Sequence, residues 1–446
     1  MGSSTMMERS SGTLPRRALC VARCARRPLR VTTSHAWVAS SNAPLVVITL
    51  LTVLNLSEPK LAHAAPHVVT ISHWNVEWLF DGRQDPSKSP YADCGEPCAD
   101  KHLERIAAGL KNTVLNMAND GGRRVADIVH LAEVEDEQVL ERLRDKLGDQ
   151  SYKPLFVKGR DTSTGQNVAI LSRVPVLGSP TRTDERSQIP LSGSGCGSGS
   201  AGSLSTGVSK NVVARFDLQK YRVTVVGAHL KAFPTQQQSC MQREGQAAVL
   251  ADVVRGEISS GNEVIVLGDL NDFDGAIMDA NDNQPTSRVL KMLKDVDNDG
   301  MDELENVMAR LPKNERYTAW YDRNGDNAFD RSSTREISAI DHILVSKQLA
   351  RYIVDVTFYH SIDPTSVSDH FPMSVTFDFE AGGDAKSPPA SAASSESSPP
   401  SSSSTTSQPA KAGGGLWSSA GASKASTLAF ALFVGSAVAL LARVIF

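Results

Sequence analysis

The run Val264-Ile-Val-Leu-Gly-Asp-Leu-Asn-Asp272 constrains the fold more than any other stretch of this 446-residue chain. Four apolar residues lead to a glycine, and three of the next four residues are polar. A short apolar run bounded by Gly, Asp and Asn is typical of a buried strand that ends in a turn. Because α/β folds place their sites at the carboxyl ends of strands, Asp269 and Asn271 become candidate functional residues.

Other apolar runs of the chain end in polar side chains in the same way. A single Asp or Asn after a strand is more often a turn or capping residue, and a single His is more often a structural one. Six such strand ends in one domain, however, supply the ligands of a hard cation together with a general acid or base. Besides Asp269 and Asn271, the candidates are Asn75, Glu77, Glu133, His229, Asp341, Asp369 and His370.

The pattern between residues 66 and 382 predicts one α/β domain, because strand-like and helix-like runs alternate. The predicted strands are His67–Trp74, Ala126–Val134, Gln166–Leu171, Asn211–Leu218, Tyr221–Leu230 and Glu263–Leu270. The predicted helices are Lys101–Met117, Glu137–Leu147 and Gln237–Val254. Only two residues separate the fourth and fifth strands, which predicts a hairpin and therefore a mixed sheet. The insertion Thr181–Ser209 is rich in Gly and Ser and predicts a mobile loop.

Charge is unevenly distributed along the chain. Residues 1–65 contain 8 basic and 2 acidic side chains and residues 383–446 contain 4 and 2, which leaves 34 basic and 46 acidic residues, a net charge of −12, in residues 66–382. An acidic domain repels nucleic acid and membrane surfaces unless it carries a basic groove or bound cations. A divalent-metal enzyme fits this balance, whereas the length and the 40% hydrophobic content exclude a disulfide miniprotein and a wholly disordered chain.

Both ends of the chain are typical of targeting segments. Residues 1–65 combine an Arg-rich flank, a short apolar run and the small-x-small site before Ala65, which predicts a signal peptide; a transit peptide or an uncleaved anchor is the alternative. Residues 383–426, rich in Ser, Pro, Ala and Gly, predict a disordered stalk. The apolar residues 427–446 predict a membrane anchor, either a GPI signal or a single span. We therefore expect the protein in the secretory pathway, tethered at the cell surface.

Four cysteines remain once Cys20 and Cys24 are removed with the signal segment. An even number in an oxidising compartment predicts disulfides, and Cys94–Cys98 with Cys196–Cys240 is one of three possible pairings. A zinc site is the alternative, but no CxxC pair or His spacing supports it.

Seven short motifs occur in an order that resembles the endonuclease/exonuclease/phosphatase superfamily, the DNase I-like hydrolases. They are Trp74-Asn-Val76, Leu131-Ala-Glu-Val134, Val168-Ala-Ile-Leu-Ser-Arg173, Gly227-Ala-His-Leu230, Gly268-Asp-Leu-Asn271, Ile340-Asp341 and Ser368-Asp-His370. The resemblance covers about residues 70–378. It implies a four-layer α/β sandwich, in which two mixed sheets pack face to face with helices outside.

The resemblance also implies a metal site and a position for water. Glu133 corresponds to the principal Mg²⁺ ligand, or Mn²⁺ ligand, with Asn75 and Asp369 assisting. Asp269 and Asn271 correspond to the pair that holds the attacking water, or a second metal, and the phosphate.

The resemblance also implies roles for histidine and basic residues of this chain. His229 with Asp341 resembles the His–Asp acid/base pair, and His370 resembles its phosphate-binding partner. Lys210 stands near the place where nucleases of the family tend to carry an Arg that binds phosphate, and Arg173 is a second candidate for that role.

Two acidic segments are candidates for structural Ca²⁺. Asp295-Val-Asp-Asn-Asp-Gly300 matches the first half of a calcium loop, although Asn306 occupies the twelfth position, and residues 322–330 offer similarly spaced oxygens. Acidic surface turns are the alternative interpretation.

These features predict a secreted or surface-tethered, divalent-metal-dependent phosphodiesterase, in the first place an extracellular nuclease that cleaves DNA or RNA. One alternative is a lipid-directed phosphohydrolase of the same superfamily, a sphingomyelinase or a phosphoinositide phosphatase. The other is a catalytically inactive surface-binding module with the same fold. The expected partners are a nucleic acid and, through the anchor, a membrane; no protein partner is predicted.

Overall fold

The structure, a computed structural model, describes residues 66–83, 89–91, 93–115, 125–196, 204–330 and 335–381. The predicted signal segment 1–65, the stalk 383–426, the anchor 427–446 and the cysteines Cys20 and Cys24 lie outside the described residues. Within the described ranges, no helix has both the length and the apolar character needed to cross a membrane.

Strands alternate with helices along the described chain. The strands are β1 Val68–Leu79, β2 Ile128–Val134, β3 Lys153–Phe156, β4 Asn167–Ser172, β5 Arg186–Ile189, β6 Leu204–Gly207, β7 Lys210–Leu218, β8 Tyr221–His229, β9 Glu263–Asp269, β10 Leu304–Asn306, β11 Ala319–Trp320, β12 Ile337–Ser338, β13 Asp341–Ser346, β14 Ile353–Phe358 and β15 Met373–Asp378. The α-helices are α1 Glu96–Asn112, α2 Glu137–Leu147, α3 Gln237–Ser259, α4 Val289–Lys294 and α5 Lys347–Ala350. Two short 3₁₀ helices, Val307–Arg310 and Lys313–Glu315, follow β10.

Two mixed sheets pack face to face. The first has the strand order β14-β15-β1-β2-β4-β3, and the second has the order β10-β13-β9-β8-β7. Alternate residues of both sheets fill the layer between them, for example Ile71, Ile128, Val225 and Ile265. Residues of the opposite parity pack against helices: the first sheet against α1 and α2, and the second against α3 and α4. The molecule therefore has the four-layer α/β sandwich that the motif order implied.

Each predicted strand and helix is present, but its ends differ from the prediction by up to five residues. The pair β7–β8 forms the expected antiparallel hairpin. Helix α1 begins five residues earlier than predicted, and Pro97 is tolerated there because an N–H in the first turn has no partner within the helix.

The described part of the insertion 181–209 corrects the prediction of a mobile loop. Strands β5 and β6 pair in antiparallel register, and the disulfide Cys196–Cys240 joins this hairpin to α3. Cys94 and Cys98 form the second disulfide. Hydrophobic periodicity could not reveal this hairpin because both strands are short and polar. The hairpin is held in place by its disulfide to α3, whose two cysteines are 44 residues apart in the sequence.

Candidate active site

A row of four polar residues crosses the second sheet at one edge. Lys210 of β7 pairs with His229 of β8, His229 pairs with Asp269 of β9, and Asp269 pairs with Asp341 of β13. Each residue continues the inward-facing alternation of its strand, so all four side chains point into the gap between the sheets. Register alone therefore brings together residues that are up to 131 positions apart in the sequence.

The first sheet contributes its residues through irregular backbone. The pairing of β1 with β2 shifts between Asn75 and Leu79, and the pairing of β2 with β4 shifts between Ala132 and Val134. Glu77 and Glu133 lie in these irregularities with left-handed φ values of 48° and 67°. Such a conformation is costly for a long side chain and is concentrated at functional sites.

The carboxylate of Glu133 lies in the gap between the sheets. Its Oε1 is 3.3 Å from Asn75 Nδ2 and 3.9 Å from His229 Nδ1. Its Oε2 accepts hydrogen bonds from Gln166 Nε2 at 2.6 Å and from the backbone N–H of Trp78 at 3.1 Å. These donors fix one carboxylate oxygen, and the other faces the second sheet.

Asp269 stands at the centre of the site. Its Oδ2 accepts a hydrogen bond from Asn75 Nδ2 at 3.1 Å and lies 3.5 Å from His229 Nε2 and 3.9 Å from His370 Nε2. Its Oδ1 accepts the backbone N–H of Asn271 at 3.0 Å. Burial, and then the charge of Asp341, raise the pKa of Asp269 to about 7. This carboxylate can therefore accept a proton near neutral pH.

Asp341 is held by two histidines. His370 Nδ1 lies 2.7 Å from Asp341 Oδ2, and His73 Nε2 lies 2.9 Å from Asp341 Oδ1. Burial by itself would lower the pKa of His370, but Asp341, Asp369 and Asp269 together raise it well above its ordinary value. At neutral pH His370 therefore carries a positive charge beside Asp269.

The predicted pairing of His229 with Asp341 is wrong. Strand register places His229 opposite Asp269, with Asp341 one strand further along, and His370 occupies the hydrogen-bonding position on Asp341 instead. Burial, and then the charges of Lys210 and His370, hold the pKa of His229 well below its ordinary value. The two histidines therefore differ in charge: His370 is cationic and His229 is neutral.

Three carboxylates crowd one side of the site. Burial, and then the charges of Asp369 and Glu133, raise the pKa of Glu77 to about 8. Burial also raises the pKa of Glu133. The backbone N–H of Asp369 donates to Glu77 Oε2 at 3.2 Å, and the Asp369 side chain is 46% exposed. Like charges gathered in this way fit a hard divalent cation, which binds oxygen ligands and offsets their repulsion.

Among the described residues, the one group of three potential ligands with atoms within 4.8 Å of one another is Asp269, Asp341 and His370. Both oxygens of Asp341 are already used by histidines, so the carboxylate side of the site fits a hard cation better. Asn75 donates its amide N–H groups to Glu133 and Asp269, while its Oδ1 accepts the N–H of Glu77. Asn75 therefore links Glu133 and Asp269 as a hydrogen-bond donor in this structure. The sequence resemblance had implied that Asn75 assists in binding the metal.

The two basic candidates lie in different places. Lys210 is buried in the row beside His229, with its Nζ 3.4 Å from Gln166 Oε1 and 3.8 Å from Asp161 Oδ2. Arg173 directly follows β4 and is far from Glu133. The β4 residue Val168 pairs with Ala132, the neighbour of Glu133, and Arg173 lies roughly 17 Å further along the strand. There its guanidinium lies 5.8 Å from the Tyr152 ring centroid. The prediction that Arg173 binds phosphate at this site is therefore wrong.

The remaining predicted residues have clear positions. Asn271, at a φ of 52°, lies directly beside Asp269, and its Nδ2 is 3.4 Å from Leu230 O. In the first calcium-like segment, Asp295 accepts the N–H groups of Asp299 and Gly300, so its oxygens serve the loop's own backbone. Binding of Ca²⁺ there stays a prediction.

Two buried histidines of this network were not among the sequence candidates. His73 connects Asp341 to His130, whose Nδ1 lies 2.8 Å from His73 Nδ1. Gly227 leaves room for the His130 ring, since a Cβ at Gly227 would clash with it. The available signal was strand parity, because His73 precedes Asn75 by two residues and therefore shares its inward face.

We expect His73→Leu to lower kcat by about 10- to 100-fold with little change in KM, because Asp341 loses the donor that orients it toward His370. His73→Gln should restore much of the rate, since an amide N–H can replace Nε2–H. Steady-state kinetics of both variants, with thermal melting as a check on folding, provide the measurement. Equal losses in the two variants would show that His73 is needed only for packing.

The chain is similar to a known protein family and to several solved structures. The sequence profile of the endonuclease/exonuclease/phosphatase family matches residues 73–370. No curated protein matches the chain. Among solved structures, the catalytic domain of Xenopus laevis APE2 is similar at 15% identity, with 70% of this chain and 92% of that chain covered and a TM-score of 0.46. The 3'-5' exonuclease NExo from Neisseria meningitidis is similar at 17% identity, with 70% and 100% covered and a TM-score of 0.43. An AP endonuclease from Archaeoglobus fulgidus is similar at 14% identity, with 70% and 99% covered and a TM-score of 0.43.

Proposed function

The chain belongs to the endonuclease/exonuclease/phosphatase family, and on this premise we propose that it is a divalent-metal-dependent phosphodiesterase that cleaves nucleic acid. The observation that carries the proposal is the position of Asp269, a buried carboxylate that lies 3.9 Å from a cationic His370 and 3.5 Å from a neutral His229. A proton acceptor next to a fixed cation is what hydrolysis of a phosphodiester by water requires.

In the proposed reaction, water attacks phosphorus and Asp269 Oδ2 accepts its proton, while the P–O bond to the leaving sugar oxygen breaks and that oxygen takes a proton from solvent. Asn75 and the backbone N–H of Asn271 hold the carboxylate in place for this transfer. His370 Nε2–H donates to a non-bridging phosphate oxygen, where negative charge grows in the transition state. Asp341 keeps His370 protonated and oriented throughout. Lys210 adds a second positive charge at the other end of the row, beyond His229.

Glu133, Glu77 and Asp369 are the residues that would hold a divalent cation. Mg²⁺ or Mn²⁺ bound there supplies Lewis-acid stabilisation of charge on the phosphate and the leaving oxygen. Hard cations of this kind prefer oxygen ligands, and all three side chains provide carboxylates.

The location outside the cytosol is part of the same proposal. The disulfides Cys94–Cys98 and Cys196–Cys240 support an oxidising compartment, in which such bonds persist. The Arg-rich segment with an apolar run at one end and the apolar segment at the other support entry into the secretory pathway and tethering at a membrane.

The test is nicking of supercoiled plasmid DNA by the purified protein, with Mg²⁺ or with EDTA. We expect nicking that requires the cation and that is lost in His370→Ala. His67→Ala is the matched control, since His67 is exposed and directly precedes β1, outside the site. If the wild type leaves plasmid DNA and RNA intact but hydrolyses sphingomyelin or phosphoinositides in the presence of Mg²⁺, the nucleic-acid proposal is wrong. Absence of any hydrolysis would favour an inactive binding module.

A further inference from the structure

The loop that follows His229 is fixed by an unusually buried cation. Arg243 of α3 is fully buried, and its guanidinium donates to the carbonyl oxygens of Lys231 at 3.3 Å, Phe233 at 2.9 Å and Pro234 at 2.9 Å. Burying a guanidinium is costly unless its hydrogen bonds are satisfied, and here backbone carbonyls satisfy most of them. The conformation of residues 231–234 is therefore strongly specified by the fold.

This fixed conformation presents an aromatic ring to solvent. Phe233 is 45% exposed and has a φ of 70°, a left-handed conformation that bulky residues rarely adopt. The Lys231 ammonium lies 5.6 Å from the centroid of the Phe233 ring. A strained backbone that exposes an apolar ring does not stabilise the fold, so a role in binding accounts for it better.

The position of the loop places these two side chains at the border of the active site. Lys231 is two residues beyond His229, and the N–H of the intervening Leu230 donates to Asp269 O at 2.9 Å. Lys231 is also close enough to Lys210 for its charge to act on that ammonium. A substrate strand with a phosphate at Lys210 would therefore have Lys231 and Phe233 beside it.

We propose that Lys231 and Phe233 form a nucleotide subsite, in which the Phe233 ring stacks on the base next to the scissile phosphodiester and Lys231 binds the adjoining phosphate. An aromatic face combined with a cation matches the two recurring parts of a nucleic-acid strand, the base and the charged backbone. The subsite rests on the proposed nuclease function and deepens it, because it predicts a preference for a nucleotide whose base is accessible, as in single strands and strand ends.

The test compares kcat/KM on a single-stranded oligonucleotide with kcat/KM on methyl p-nitrophenyl phosphate, a phosphodiester without a neighbouring nucleotide. Phe233→Gly should lower kcat/KM on the oligonucleotide by about tenfold and leave the small substrate unaffected. Its melting temperature should not fall, since glycine adopts this φ without steric cost. Lys231→Gln should also act on the oligonucleotide alone. Val354→Ala, which alters another exposed apolar residue on β14, is the matched control.

Two further experiments distinguish base stacking by Phe233 from a general apolar contact. An oligonucleotide with abasic spacers should abolish the difference between the wild type and Phe233→Gly. Phe233→Leu should resemble Phe233→Gly; full activity of Phe233→Leu on the oligonucleotide would overturn the proposal, because it would show an apolar contact without stacking. Unchanged oligonucleotide cleavage in Phe233→Gly would overturn the subsite alone. A wild type that cleaves no nucleic acid overturns the nuclease function and the subsite together.

Discussion

Replacing Asp269 by asparagine is expected to lower kcat by about 10³-fold while the protein remains folded. The side chain is buried, and Asn75 donates to its Oδ2 while the N–H of Asn271 donates to its Oδ1. Asparagine matches the shape of the carboxylate and can keep the contact with the Asn271 N–H, but it cannot accept a proton from water. The loss should therefore appear in kcat, with a much smaller change in KM.

The pH profile gives an independent measure of the same role. Burial and the charge of Asp341 raise the pKa of Asp269 to about 7, so at lower pH this carboxyl is protonated and cannot act as a base. We expect kcat/KM of the wild type to rise as the pH increases through about 7 and then to level off. The residual activity of Asp269→Asn should lack this rise.

Asp252→Asn serves as the control for this experiment, because Asp252 is an exposed residue of α3 that pairs with Arg255. It should leave both kcat and the pH profile unchanged. A near-normal rate for Asp269→Asn, or the same pH-dependent rise in that variant, would mean that another group takes the proton.

The candidate residues on the second sheet could be predicted because strand ends are visible in the sequence. His229 and Asp269 end the parallel strands β8 and β9, where the general rule for α/β folds applies directly. Lys210 and Asp341 instead begin strands that run antiparallel to these neighbours, so their first residues reach the same edge. Arg173 fails for the same physical reason, since β4 runs antiparallel to β2 and carries its carboxyl end to the opposite edge.

What the sequence could not provide is the set of contacts among the predicted residues. Which histidine bonds to Asp341 depends on the register of β13 with β9 and on the loop before β15, which carries His370 from the other sheet. Neither feature leaves a local pattern in the sequence. His73 and His130 lie inside their strands and not at the strand ends, and there they look like structural residues. The left-handed backbone at Glu133 and Phe233 is equally hidden, because neither residue type favours it.

The corrected pairing leads to the second large effect, which is expected for Asp341→Asn. We expect kcat to fall by about 10²- to 10³-fold, because His370 loses the carboxylate that keeps it protonated and oriented. Burial alone would lower the pKa of His370, and Asp341 is the largest contribution that opposes burial. With asparagine in its place, the pKa of His370 should fall, so less of the cationic form is present to stabilise charge on the phosphate.

A pair of double-mutant cycles decides which histidine depends on Asp341. Residues that act as a unit give losses that do not multiply, so Asp341→Asn combined with His370→Ala should be hardly slower than either single variant. His229 lies 3.5 Å from Asp269 and is not bonded to Asp341, so the losses from His229→Ala and Asp341→Asn should largely multiply. The reverse outcome, with coupling to His229 and none to His370, would contradict the hydrogen-bond network of the structure and restore the pairing expected from the sequence.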